Sequence, residues 1–202
     1  MNFLINPTIH PLLQILITLF LCSGILNFGK LINQKFFKNY NYYFFDLSVG
    51  TIFLSQILLI SLVLGVFEKI TIVISFLLLL LGILNINLFK KIRVLLNFLF
   101  VGQNRTFKII ITISLLSFII ISLGPPSMAD ALDYHYGVPL FLLEYSYLPN
   151  QDIWLHGSLF GNGELMNAIG LYLKTDNFFT FFQLFSLILF FEFLSKKEKN
   201  QP

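Results

Sequence analysis

Pro125-Pro126-Ser127-Met128-Ala129-Asp130-Ala131-Leu132-Asp133-Tyr134-His135 is where this chain stops reading as lipid-soluble helix. A helix cannot easily continue through Gly124-Pro125-Pro126, because proline lacks the N–H that the hydrogen-bond ladder needs. The break opens a segment, residues 124–176, that holds six of the ten acidic residues, two of the three histidines and the single tryptophan, Trp154. On either side of it lie apolar runs close to the roughly 20 residues that cross a bilayer. Four precede it, at residues 9–28, 47–67, 70–89 and 107–123, and one follows, at residues 177–194.

Composition agrees with that reading. The chain is 56% hydrophobic and 11% charged over 202 residues, against roughly 25% charged in soluble domains. The apolar runs are continuous and do not alternate, which argues against a β-barrel. The expected fold class is therefore all-α: one polytopic membrane domain over residues 1–202, with about five transmembrane helices and surface helices in one long extracytoplasmic loop. No basic patch with interleaved aromatics marks a nucleic-acid partner. A lone cysteine, Cys22, forms neither an intrachain disulfide nor a zinc cluster and reads as a small apolar filler. The first run has no basic segment before it and no small-residue cleavage pattern after it, so it reads as a retained helix. His10-Pro11 stands at its start, where proline is tolerated.

The connections set the orientation. Residues 29–46 read as a polar link with Lys30, Lys35 and Lys38, and with Tyr40, Tyr42 and Tyr43 suited to an interface. Glu68-Lys69 reads as a minimal turn. Residues 90–108 carry Lys90, Lys91, Arg93, Arg105 and Lys108 around an apolar run too short to span, which suits a helix lying in the interface. Lys196, Lys197 and Lys199 close the chain. With five spans, all three basic segments fall on one side, the cytoplasmic one by the positive-inside rule. The N-terminus, the Glu68-Lys69 turn and the acidic 124–176 loop fall outside. The expected location is the cytoplasmic membrane, multi-pass, N-terminus out and C-terminus in. The spans lack the buried charges of a transport site.

Within the loop, Ser127 and Asp130 form a weak capping-box pattern, which predicts a short helix from Met128 to about Tyr136, interrupted by Gly137 and Pro139. Leu140 to Tyr147 suits a second helix, and Glu164 to Leu173 a third with Asn162 as N-cap. The picture is of two short helices flat on the outer surface, joined by a loop that can fold back over them. Asp130 and Asp133 share one helix face. A carboxylate at Asp130 suits two kinds of work, binding a divalent metal such as Mg or Mn, or taking a proton from a hydroxyl. It equally suits plain stabilisation of a helix N-terminus. Asp133 also reads as a solvated surface residue, and Trp154 as an interfacial anchor. No HExxH spacing joins His135 and His156, and no strand precedes Gly157, Gly161 and Gly163 as a nucleotide loop would require.

Pro125-Pro126, the run Asp130-Ala131-Leu132-Asp133-Tyr134-His135 and Pro139 together resemble the first large extracytoplasmic loop of bacterial GT-C type membrane glycosyltransferases. The similarity runs more loosely through Leu148, Glu164, Asp176-Asn177 and Gln183. The resemblance implies a polyprenyl-phosphate-linked sugar as donor, with Asp130 as catalytic base or metal ligand. Tyr134 and His135 complete the run, Glu164 matches a later acidic position, and Asp133, Tyr134, His135 and Glu164 become candidate substrate-binding residues. Only one span follows the loop here, whereas the family builds its lipid-donor cavity from many later helices. That implies a truncated or partial enzyme, or a second membrane chain that supplies further helices. The alternative expectation is a non-catalytic membrane subunit or scaffold.

Overall fold

The computed structural model describes residues 9–37, 42–84, 105–123, 135–150, 154 and 161–199. Among them every element is a helix: α1 (Pro11–Phe36), α2 (Tyr43–Val63), α3 (Phe67–Leu84), α4 (Arg105–Leu123), α5 (Gly137–Tyr145), α6 (Asn162–Tyr172) and α7 (Phe178–Lys199). Three of these, α1, α2 and α3, are long and apolar enough to cross a membrane, while α4 and α7 hold shorter apolar runs. The described elements are all helical, and the three long apolar helices are those of a membrane protein.

Helix α1 opens on His10, whose Nδ1 accepts the Leu12 N–H at 3.3 Å, with Pro11 in the first turn. It runs eight residues past the expected span end at 28, so much of the expected polar link is helical. Asn33 and Asp46 explain how. Both are buried, and the Asn33 Nδ2 donates to the Asp46 Oδ1 at 2.7 Å, which ties the end of α1 to the start of α2. The expected turn at Glu68-Lys69 lies earlier. Gly65, at φ +68°, ends α2 in a Schellman motif, with Val66 N–H on the Ser61 carbonyl and Gly65 N–H on the Leu62 carbonyl. Glu68 then falls in the first turn of α3, where a negative charge meets the positive end of the helix dipole.

Glycines set how closely these three helices approach. Gly29 faces Gly50 across α1 and α2, where a Cβ on Gly29 would lie 2.6 Å from the Gly50 nitrogen. Between α1 and α3, Gly24 lies against the Leu78 backbone and Gly82 against the Phe20 backbone. Apolar surface gains little from helix association in lipid, so close backbone packing at small residues carries much of it. Leu21, Ile25, Leu54, Leu58 and Leu78 fill the space between.

The later helices close around this bundle. Helix α5 begins at Gly137, ahead of the expected start at Leu140, and holds Gly137 and Pro139 in its first turn, where a missing N–H has no intrahelical partner to lose. It ends at Ser146, φ 56°, whose hydroxyl accepts the Glu68 N–H at 3.1 Å. That bond fixes the end of α5 beside the α2–α3 turn. Helix α7 meets the opposite end of α2, with Phe193 5.0 Å from Tyr42 and Phe190 5.2 Å from Phe44, ring centre to ring centre.

Helix α6 differs from the surface helix that the sequence suggests. All its residues from Glu164 to Leu171 are buried, and it packs on α2, α3, α5 and α7. Ile169 and Tyr172 lie against Ser75 and Phe76, midway along α3. A helix whose apolar residues cover every face is driven into the interior, and Glu164 is the only charged residue in α6. Lys174, at φ 58°, terminates it in a second Schellman motif. Residues 128–134 of the expected Met128–Tyr136 helix and 90–104 of the expected 90–108 interfacial segment lie outside the described residues, and residues 105–108 form the start of α4.

Candidate functional site

The site forms where His135, two residues before α5, meets the first two turns of α6. Glu164 occupies the third position of α6. One carboxylate oxygen, Oε2, accepts the Gly161 N–H at 2.7 Å, the half of a capping box in which the acid reaches back to the helix start. Gly161, and not Asn162, is therefore the N-cap. The other oxygen, Oε1, lies 2.8 Å from the His135 Nδ1. One turn on, Asn167 donates from Nδ2 to the His135 carbonyl at 2.7 Å. Glu164 and Asn167 share a helix face because they are three residues apart. Helix α6 therefore grips residue 135 twice, by its ring and by its backbone.

The tautomer follows from the partners. A carboxylate only accepts hydrogen bonds, so the His135 Nδ1 carries a proton toward Oε1, and in the neutral ring Nε2 is then the acceptor. The ring lies near parallel to Phe179 of α7, 6.1 Å away at 25°. Gly163 permits this approach, since a Cβ there would meet the Phe179 ring at 3.2 Å. Asn167 is 1% exposed, and its Oδ1 has no partner among the described residues. The His135 side chain keeps 34% of its surface exposed.

A second pair stands beside the first. The Tyr136 hydroxyl donates to the Asp176 carbonyl at 2.6 Å, joining the start of α5 to the turn before α7. Burial, then the Asp176 charge, pushes the Tyr136 phenol up to about 12. Burial also raises the Asp176 carboxyl. Phe179 continues into an open apolar cleft of about 430 Å³ between α7 and the start of α2, lined by Phe44, Phe182 and Phe190, with Gln183 and Ser186 as its polar edges.

Of the residues that the sequence marks, the structure brings His135 and Glu164 together. Asp130, Asp133, Tyr134 and His156 lie outside the described residues. Among the described residues no three His, Cys, Asp or Glu side chains gather as a metal site. Sequence reasoning missed Asn167, Tyr136 and Phe179. Asn167 had a legible signal, an amide three residues after Glu164 in an otherwise apolar helix.

The DUF1420 N-terminal domain matches residues 84–201, more than half of the chain. The chain belongs to the DUF1420 family. The DUF1420 match takes in helices α4 to α7 and every candidate site residue, while α1 and α2, and α3 up to its last residue, precede it. The helices that enclose α6 from behind thus lie ahead of the DUF1420 segment. No curated protein and no solved structure matches the chain.

Proposed function

We propose that this DUF1420 protein is a glycosyltransferase-like enzyme of the cytoplasmic membrane, which transfers a sugar from a polyprenyl-phosphate donor at the outer face. In this reading α4 and α7 also span, with the N-terminus out and the C-terminus in. One observation carries the reading. His135 and Glu164, separated by 29 residues and both marked by the resemblance to GT-C type enzymes, meet at 2.8 Å beside a helix enclosed by protein.

The chemistry is a displacement at the anomeric carbon. The acceptor hydroxyl oxygen forms the new bond to that carbon, and the carbon–oxygen bond to the lipid phosphate breaks with its electron pair going to the phosphate. The hydroxyl proton passes to a base on the protein, and Asp130 is the first candidate. Asp133, Tyr134, His135 and Glu164 would line the substrate. The departing phosphate calls for positive charge, and the 124–176 segment offers only Lys174 and two histidines. A Mg or Mn ion held by Asp130 would meet that need.

A second reading is a non-catalytic membrane subunit. Helix α4 has its main contact with α7 and leaves Ile109, Ile113, Leu116 and Ile120 uncovered, a face suited to helices of another membrane chain. Sugar transfer in membranes separates the two. With polyprenyl-phosphate sugars supplied, the enzyme reading expects product from the wild type and none from Asp130→Asn inserted at equal level. No product from either, with a partner chain also supplied, leaves the subunit reading.

A further inference from the structure

We propose that His135 is the group that takes the acceptor proton, and that Glu164 and Asn167 are its positioning residues. This rests on the transferase reading, assigns to His135 the proton-accepting role first given to Asp130, and has Glu164 act through His135 instead of lining the substrate.

Three features carry it. The buried Glu164 carboxylate holds the Nδ1 proton at 2.8 Å, so the neutral ring presents Nε2 as a base. The Glu164 carboxylate is itself fixed by the Gly161 N–H at 2.7 Å, so the ring is oriented from a rigid helix start. Asn167, 1% exposed, bonds the backbone of His135 and not its ring, which limits movement of the whole residue. A histidine needed only for packing would not require its tautomer and its backbone to be set by separate side chains. Phe179 stacks on one side of the ring, and 34% of the side-chain surface is exposed. In the step itself, the hydroxyl oxygen bonds to the anomeric carbon, its proton moves to Nε2, and the phosphate leaves with the electron pair. The ring becomes an imidazolium beside the Glu164 carboxylate. Tyr136, the next residue, is turned to the Asp176 carbonyl at 2.6 Å.

Glu164→Gln is the decisive variant. A glutamine has one accepting oxygen for two donors. If that oxygen keeps the Gly161 N–H, its NH₂ faces Nδ1 and drives the ring proton to Nε2, which removes the base. The test combines ¹⁵N spectra of histidine-labelled full-length protein in lipid nanodiscs, assigned with His135→Ala, and transfer kinetics in the same nanodiscs with polyprenyl-phosphate sugars. The expected spectrum shows the Nδ1–H form in the wild type and a shift toward Nε2–H in Glu164→Gln. His135→Ala should lower kcat by about 10²–10⁴-fold. Glu164→Gln should lower kcat at least roughly tenfold with KM little changed, and should move the acidic limb of the pH profile. Wild-type transfer with a Glu164→Gln kcat and pH profile like the wild type overturns this assignment and leaves the transferase reading standing. A wild type that transfers nothing overturns the transferase reading, and this assignment with it.

Discussion

Gly29→Ala tests the packing on which the site rests. A Cβ on Gly29 would lie 2.6 Å from the Gly50 nitrogen and 2.8 Å from the Asp46 carbonyl carbon, with the Asp46 oxygen nearer still. Ordinary contact begins near 3.4 Å, and these atoms are backbone, so no side chain can swing aside. The helices must part by more than about 1 Å, which forfeits at least a quarter to a half of each dispersion contact along the α1–α2 seam. Overpacking of this kind costs about 1–3 kcal/mol. Alanine's better helix propensity returns at most about 1 kcal/mol. The net expectation is a loss of about 2 kcal/mol in reversible unfolding from mixed micelles. Gly50→Ala should behave alike, and the double variant should lose less than the sum, because helices already parted accommodate the second methyl. Gly65→Ala is the comparison: its φ of +68° strains an alanine by about 1 kcal/mol, yet it has open space around it and no seam to lose. A Gly29→Ala protein as stable as the wild type, or more so, would refute the close approach of α1 and α2.

Two further outcomes concern the site. Replacing Glu164 alone by Leu should destabilise by about 1–3 kcal/mol, since the Gly161 N–H and the His135 Nδ1 lose a charged acceptor. Adding His135→Phe should restore part of that loss, and a mutant cycle showing no coupling between the two positions would contradict the 2.8 Å bond. Tyr136 makes stability depend on alkaline pH. Its folded phenol is raised to about 12 from an ordinary value near 10, by burial first and the Asp176 charge second. The folded state holds that proton more tightly, so the contribution is full below pH 10 and is lost as pH rises through about 12. Tyr136→Phe should flatten that fall and cost about 1 kcal/mol near neutrality through the lost bond to the Asp176 carbonyl. Unfolding measured across pH 8–12 decides it, and an unchanged alkaline slope in Tyr136→Phe counts against the phenol.

The helices were readable from the sequence where one local rule governed them. Runs of apolar residues long enough to span marked α1 to α3, and Pro11 marked where α1 begins. Element ends were read less well, because they depend on partners distant in sequence. Asp46 looked like the edge of a polar link, yet Asn33 satisfies it from another helix and the helices run on. Gly65 was passed over for the charged pair Glu68-Lys69, although a left-handed glycine is the stronger stop and Glu68 suits a helix start. At the site, Glu164 was visible as a first-turn acid. Its bond to His135 was not, since only the return of the chain beside α2 and α3 brings residues 135 and 164 together.

Helix α6 shows why Glu164 and Asn167 matter more than their neighbours. A carboxylate taken out of water loses several kcal/mol of hydration, and a pair of hydrogen bonds offsets that only in part. Leucine or methionine at position 164, with an apolar residue also at 135, would fill the same space without that penalty. Asn167 carries a similar burden, with one amide oxygen buried and lacking a partner among the described residues. Both polar groups are aimed at one residue, His135, and each holds a different part of it. Stability alone gives no reason to place an acid and an amide on the same face of an otherwise apolar, enclosed helix. Fixing an imidazole does, because tautomer and position must both be set before the ring can move a proton in one direction. The apolar enclosure that makes these residues expensive also keeps their geometry from relaxing into water.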